Sequence, residues 1–384
     1  MAATLAHQPA PKPKSLLGHQ RILAPTAGVR VSPLCLGAMN FGEAWSGFLG
    51  ECNKETSFGM LDHFFENGGN FIDTANNYQG EETEKWLGEW MESRRNRDQI
   101  VLATKFTSPY PSEPVTIKSN YLGNSSKSLR VSLEASLKKL RTSYIDLLYI
   151  HWWDFTTSIP EIMKALHHVV ASGKVLYLGI SDTPAWIVSK ANEYARQQGL
   201  TQFSVYQGLW NAAVRDFERD IIPMCESEGM ALAPWGALGR GAFMSPEDYE
   251  KKEEGRKVGQ SENGKKVSAA LDKLAKEKGT LITSIALAYV RHKSPYVFPI
   301  VGGRKIEHLK SNIEALGIEL SDEEIDEIDG AAPFDHGFPL NFVFEYGGGP
   351  KYNSRMGPGD IFFVKSSGGL DTVPRSKAPK PHKD

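Results

Sequence analysis

Four side chains in this sequence are of types that can move a proton together: Asp73, Tyr78, Lys105 and His151. Each sits at or just beyond the end of an apolar run. FID ends in Asp73, with Tyr78 following in TANNYQGEE; VLATKF carries Lys105; IDLLYIHWWD carries His151. Taken singly, each has a plain explanation. An aspartate caps turns, a lysine is one solvated cation among many, a histidine can be a hydrogen-bonded core residue, and a lone tyrosine says nothing. The set is different. A lysine on an apolar strand is costly unless a carboxylate compensates it, and Asp73 ends the neighbouring run. A free tyrosine, with a pKa of about 10, is a poor acid–base catalyst near neutrality. An adjacent ammonium stabilises the phenolate and lowers that pKa. In this reading Asp73 keeps Lys105 charged, Lys105 tunes Tyr78, and His151 orients a carbonyl oxygen toward the phenol. Such a set suits hydride addition to a carbonyl, where the alkoxide that forms must be protonated.

Residues so far apart need a scaffold that gathers strand ends. SPLCLG (32–37) precedes a helix near Lys54 to Asn67, and NFIDT precedes EETEKWLGEWMESR. QIVLATKF, IDLLYIHWWD, VLYLGISD, FSVYQGLWN, MALAPWGALGRG and YVFPIVGG each pair in the same way with an amphipathic stretch. About eight strand-then-helix units predict a parallel sheet closed into a (β/α)8 TIM barrel, with strand C-termini opening into one mouth. IVLAT and DLLYI are apolar nearly throughout, as parallel strands covered on both faces should be. Ser125 and Thr183-Pro184 read as helix starts. Gly68, Gly173, Gly199, Gly229 and Gly279 fall where helices should stop. An open doubly wound sheet binding a dinucleotide should carry Gly-x-Gly-x-x-Gly after its first strand, and the sequence has no such motif.

The expected organisation is a flexible arm over 1–20, one barrel domain over 21–332 and a C-terminal Gly/Pro-rich extension over 333–384. The charged stretch 245–266 should be a mobile excursion from the barrel, and the final dozen residues should be disordered. GQSENGKK inside that stretch imitates a phosphate loop but has Lys266 at the Ser/Thr position and no preceding strand.

The 384 residues are 40% hydrophobic and 23% charged, so a large core can form. A net charge of -2 gives no general drive toward nucleic acid or anionic membranes. Cys35, Cys52 and Cys225 are too few and scattered for a disulfide framework or a cysteine zinc site, and read as reduced thiols of a cytoplasmic protein. No apolar stretch reaches membrane-spanning length. His167 and His168 are adjacent and diverge on a helix, so a metal-dependent hydrolase finds no ligand cluster.

FIDTANNYQGEE, IVLATKF, DLLYIHWWD, VLYLGISDTPAW, FSVYQGLWN and FPIVGGRKIEHLKSNIEAL, in that order over about residues 20 to 340, resemble the aldo-keto reductases. The resemblance is to the fungal aryl-alcohol dehydrogenase and norsolorinic acid reductase-like members. It implies the eight-stranded barrel, NADPH bound extended without a Rossmann motif, and Tyr78 as acid supported by Asp73, Lys105 and His151. It also implies that Ser181, Asp182 and Gln207 reach the nicotinamide carboxamide and that Trp210 stacks on its ring. Many relatives have asparagine at Asp182, and a carboxylate can accept from the amide nitrogen but cannot donate to its oxygen.

Gly302 and Gly303 allow close backbone approach at a helix N-terminus, which favours phosphate. Arg304 and Lys305 add the charge that would select the 2'-phosphate of NADPH, with His308 and Asn312 further along that helix face. Pro234, Trp235, Ala237, Leu238 and Gly239 are expected along the pyrophosphate. Trp45 and Trp152 near the mouth would wall a planar aryl substrate, while alternation should turn either Trp152 or Trp153 into packing. The reading is an NADPH-dependent reductase of aryl and related aldehydes or ketones, reversible toward alcohol oxidation, with a small-molecule substrate. Its competitor is a nucleotide-binding regulatory subunit of the same fold with little turnover, against which the intact four-residue set argues. Monomer and homo-oligomer both stay open.

Overall fold

A computed structural model describes residues 10–245, 261–348, 351–353 and 355–382. Two strands precede the repeating units: β1 (Arg21–Ala24) and β2 (Ala27–Val31) pair as an antiparallel hairpin around Pro25-Thr26. Then come β3 (Cys35–Gly37), β4 (Phe71–Asp73), β5 (Val101–Phe106), β6 (Ile145–Ile150), β7 (Val175–Ser181), β8 (Phe203–Leu209), β9 (Ala231–Trp235) and β10 (Ile300–Val301). These eight form one parallel sheet in the order β10-β3-β4-β5-β6-β7-β8-β9. Leu232 of β9 closes the circle, donating to the Tyr296 carbonyl and accepting from the Phe298 amide, both at 2.8 Å. The expected eight-stranded barrel is what forms, with its last strand reduced to two ladder residues and that bridge.

Alternation along the strands sorts the side chains into two cores. Ile72, Leu102, Leu148, Ile150, Leu178 and Ile180 face outward into the layer of helices. Phe71, Val101, Ala103, Leu147, Tyr149, Val205, Ala231 and Ala233 face inward and fill the barrel axis. The hairpin plugs the end where the strands begin, burying Leu23, Ala24, Ala27 and Val31 against that inner core. Continuing each inward row two residues further reaches Asp73, Lys105, His151, Ser181, Gln207 and Trp235. The polar set is therefore the top layer of a filled barrel, on the face where this architecture presents its loops.

Local signals account for the surrounding helices. Ser125 caps Ser126–Lys139 by accepting from the Ser128 amide, and Asn53 caps Lys54–Glu66 through the Thr56 amide. At Ala185–Gln198, by contrast, Pro184 is the flanking residue and no side chain caps the end. Thr183 instead turns its hydroxyl back to the Ser181 carbonyl.

The described residues of the three segments outside the barrel make the following contacts. The arm is anchored from Ser15, which donates to the Asn67 carbonyl, and Leu17 is fully buried. The charged excursion does not extend to residue 266. Ser261 caps a helix spanning Glu262–Lys278, whose Val267, Leu271 and Leu274 supply the buried face; positions 246–260 lie outside the described residues. The end of the chain, expected to be disordered, lies along the body: Arg375 pairs with Glu226, Lys380 with Glu319, and His382 stacks on His19. The extension starts from a buried charge cluster in which Lys293 meets Glu218 and Asp329, and Arg215 meets both carboxylates. Burial opposes ionisation of Glu218, yet Lys293 and its neighbours hold it well below the usual carboxylate range.

Candidate active site

Lys105 is fully buried at the end of β5. Its ammonium donates to Asp73 Oδ2 at 2.6 Å, to the Thr74 carbonyl at 2.7 Å and to the Tyr78 hydroxyl at 3.4 Å. Those three contacts use all its donors. Asp73, paired in register with Ala103 of β5, receives a second bond on Oδ1 from Gln207 Nε2 at 2.9 Å. Burial pulls the Lys105 pKa down, but Asp73 and Tyr78 outweigh it and leave the ammonium more firmly protonated than a free lysine.

Tyr78 behaves differently from the expectation. Burial pushes the phenol up, Lys105 pulls it down, Asp73 adds a further push, and the net result lies above the ordinary value of 10. The lysine restrains the phenol rather than making it unusually acidic. The desolvation of the barrel mouth is the larger effect.

The turn that presents Tyr78 is held from several sides. Gln79, Gly80 and Glu81 all adopt left-handed conformations, with φ of 52°, 57° and 77°. Non-glycine residues in this region are strained and persist only when their surroundings fix them. Here Gln79 is fully buried. Its Nε2 donates to the Met39 carbonyl at 3.0 Å, and its Oε1 accepts from the Trp45 amide at 2.6 Å. Beneath the turn, Lys139 donates to the Asn76 carbonyl and pairs with Glu81 and buried Glu84. Trp45 meets the Tyr78 ring edge-on at 6.2 Å. Gln79, Glu84 and Lys139 carry no sequence signal of this role, since Lys139 lies on a helix that joins the turn only in the fold.

His151, just past β6, faces the Tyr78 ring edge-on at 5.9 Å. Burial first, and the Lys105 charge second, push its pKa down to about 3, so the imidazole is neutral at physiological pH. Its Nδ1 lies 3.4 Å from Ser108 Oγ, which accepts from Trp152 Nε1 at 3.1 Å. With Ser108 donating to Nδ1, Nε2 carries the ring proton. Of the two tryptophans, Trp153 packs among the helices, while Trp152 stays at the mouth with its indole N–H committed to Ser108.

The remaining candidate residues lie around the other half of the mouth. Ser181 and Gln207 end inward rows on β7 and β8. Asp182, with φ of 39°, accepts from Trp235 Nε1 at 3.3 Å. Burial of its inner side pushes the Asp182 carboxyl up to about 6. Trp210 does not stand where a ring could stack on a ligand. It is fully buried and lies parallel to Phe217 at 5.7 Å, on the helix side of the sheet. The alternation of ALAPW turns Trp235 inward instead, and Trp235 is the partly exposed indole at that edge. Beyond it Pro234 and Ala237 are buried, Leu238 packs against the helix-facing core, and Gly239 (φ 72°) lies against the Phe243 ring.

At β10, Gly302, Gly303 and Asn312 line a narrow cleft with Leu36, Met60 and Leu309. The helix Ile306–Glu314 starts after Lys305 with no side-chain cap, and its positive end can favour an anion, although the His308 amide already donates to the Lys305 carbonyl at 3.2 Å. Arg304 lies against Gly50 of the loop after β3, where a Cβ would overlap the guanidinium. His308 is exposed and Asn312, one turn on, is buried. Catalytic candidates thus occupy the ends of β4 to β6, and ligand-binding candidates those of β7 to β10. A long, flat dinucleotide laid across the second half fits these residues: polar ends and an indole at one side, an uncapped helix and two cations at the other. Among the described residues no group of acidic, histidine or cysteine side chains could hold a metal ion, and no helix is long and apolar enough to cross a membrane.

The sequence is similar to those of known proteins. Residues 33–333 match the family model described as the aldo/keto reductase family. Norsolorinic acid reductase A of Aspergillus parasiticus is 61% identical over 374 residues, covering 97% of this chain and 96% of that protein. Norsolorinic acid reductase B of Dothistroma septosporum is 59% identical over 372 residues, covering 94% of each. The aryl-alcohol dehydrogenase [NADP(+)] of Phanerodontia chrysosporium is 50% identical over 391 residues, covering 98% and 99%.

Proposed function

The chain belongs to the aldo/keto reductase family, and from that premise we propose that its barrel mouth reduces aromatic aldehydes or ketones with NADPH, Tyr78 giving the proton. As a family member it is an oxidoreductase that interconverts small-molecule carbonyls and alcohols. The observation that carries the residue assignment is the buried Lys105 ammonium, shared between Asp73 and Tyr78. A buried cation, a carboxylate and a phenol in line are expensive to assemble, and they match the needs of a proton donor at a dry site.

The dihydronicotinamide, when bound, supplies the hydride. Ser181, Asp182 and Gln207 would hold its carboxamide end, with Trp235 rather than Trp210 against the ring. Arg304, Lys305 and the start of the helix Ile306–Glu314 would hold the 2'-phosphate end. Neutral His151 donates from Nε2 to the carbonyl oxygen and aligns it with the Tyr78 hydroxyl, and the phenol proton passes to that oxygen as charge develops. Lys105 steadies the phenolate left behind, and Asp73 keeps the lysine charged. Trp45 and Trp152 form walls suited to an aryl group, in keeping with relatives whose names refer to norsolorinic acid and aryl alcohols.

The test is stopped-flow oxidation of bound NADPH by a panel of aryl and alkyl aldehydes and ketones. Rapid single-turnover oxidation with aryl carbonyls is expected. Tight NADPH binding with no oxidation by any member of the panel would reject the proposal in favour of a nucleotide-binding regulatory protein.

A further inference from the structure

At the opposite end of the barrel from the mouth, two arginines approach each other without a carboxylate. Arg21 opens β1, and Arg291 lies in the last turn of the helix Ile282–Lys293. Between them is a cleft of about 40 Å³, walled by Pro33 and Leu316 and crossed by residues 379–382. His19, Lys380 and His382 also line it, so its polar side chains are cationic or neutral donors. Neither arginine takes part in an ion pair among the described residues. Arg21 donates to the Pro295 carbonyl and lies over the Phe298 ring at 5.2 Å. Among the described residues Arg291 makes one hydrogen bond, from Nη1 to the Leu316 carbonyl at 3.3 Å, and its buried Nε has no acceptor. Of the nearby acids, Glu319 is engaged by Lys380 at 3.1 Å.

The buried cations described above are matched. Lys105 has Asp73, Lys293 has Glu218 and Asp329, and Arg215 has the same two carboxylates. Burying a guanidinium donor without an acceptor, beside a second guanidinium, is costly. The pair itself records that cost: burial, and then the Arg21 charge, push the Arg291 pKa down to about 10. A forked guanidinium is shaped to meet two oxygens of a planar or tetrahedral anion.

We propose that this cleft binds a small oxyanion of the phosphate or carboxylate class, held by Arg21 and Arg291 and covered by residues 379–382. The anion supplies the negative partner that neither guanidinium has among the described residues. It also touches three parts of the chain: the plug hairpin, the helix Ile282–Lys293 and the end of the extension. The site lies far from the mouth, so it acts on stability and on docking of the C-terminal segment rather than on turnover.

Inorganic phosphate is the probe, titrated against thermal unfolding of the full chain with NADP+ saturating, so that any phosphate groove at the mouth is already filled. Sodium chloride at matched ionic strength is the control, and citrate is a second arm. The expected result is a saturable rise in Tm with phosphate or citrate, absent with chloride, since a ligand that binds only the folded state stabilises it by mass action. The tighter of the two anions identifies the source. Arg291→Gln and Arg21→Gln should each weaken the apparent affinity at least tenfold while leaving carbonyl reduction within twofold of the unaltered protein. If Arg291→Gln does not fold, Arg21→Gln and Lys380→Ala carry the same comparison. A Tm response matched by chloride, or one equal in the folded variants and the unaltered protein, overturns the proposal.

Discussion

Replacing Lys105 by methionine keeps an apolar stem in the barrel and removes only the ammonium. The Nζ–hydroxyl separation is 3.4 Å. At that distance, with an effective dielectric of about 20, an ammonium and a phenolate attract by about 5 kcal/mol. If the proton is roughly half transferred at the transition state, about half of that is lost, or roughly a fifty- to hundredfold fall in rate. The fall in kcat/KM must be equal in reduction and oxidation at any one pH when cofactor affinities are unchanged, because the variant cannot change the overall equilibrium. What distinguishes this reasoning from a merely misplaced substrate is the pH profile. Without Lys105 nothing restrains the push of burial on Tyr78, so the alkaline rise of alcohol oxidation moves to higher pH. Removing one partner of a buried pair also costs about 3–5 kcal/mol of stability, so Lys105→Met with Asp73→Asn is made alongside to relieve the stranded carboxylate. Steady-state rates in both directions from pH 6 to 10, with NADPH affinity by fluorescence, are the assay. Turnover within threefold of the unaltered protein, or an unmoved alkaline limb, refutes the assigned role of Lys105.

Three further outcomes are expected. Tyr78→Phe should lose about 10²- to 10⁴-fold in carbonyl reduction with NADPH binding nearly unchanged; near-full turnover would mean another group gives the proton. Arg304→Ala with Lys305→Ala should raise KM for NADPH far more than for NADH, whereas equal effects would remove both cations from the 2'-phosphate. His151, with a folded pKa of about 3 against an ordinary 6.5, should put no histidine limb on the reduction rate between pH 5 and 8. Below about pH 6.5 the unfolded chain takes up a proton there that the native state refuses, so this residue lowers stability as pH falls toward about 3. Urea midpoints at pH 7 and 5 should therefore draw together in His151→Gln, and an unchanged gap would contradict the assignment.

Much of the scaffold is visible in the sequence because parallel strands buried on both faces leave unbroken apolar runs, and IVLAT and DLLYI stand out for that reason. The hairpin of β1 and β2 does not stand out. Its buried and exposed positions mix, as Ile22 at 50% exposure beside Leu23 at 0% illustrates, and it is fixed by plugging a barrel that has to exist first. That Asp73, Tyr78, Lys105 and His151 come together is legible because each ends or closely follows a strand, and strand ends converge. Trp210 was misplaced because its position on the chain suggests the mouth. The inward row through Val205 and Gln207 leaves it on the opposite parity, and the same rule applied to Ala231 and Ala233 selects Trp235. Gln79, Ser108 and Lys139 were not readable at all. Each acts by a contact across 30 or more residues, and no local periodicity encodes it.

The direction of the Tyr78 shift changes how the centre should be understood. A dry site is needed, since water at the mouth would compete for the carbonyl oxygen and weaken every hydrogen bond aimed at it. The same dryness raises the phenol and penalises the ammonium. Asp73 answers the second effect by keeping Lys105 charged, and Lys105 answers the first by limiting how far the phenol rises. A phenol that stays protonated through neutral pH is what reduction requires, because the alkoxide formed by hydride addition is a stronger base than any phenolate. Strong acidification of Tyr78 would empty it of the proton that its proposed role requires. The apolar layers of Phe71, Val101, Ala103, Leu147 and Tyr149 beneath the site therefore have a chemical consequence. They set the dielectric against which the buried Lys105–Asp73 pair is balanced.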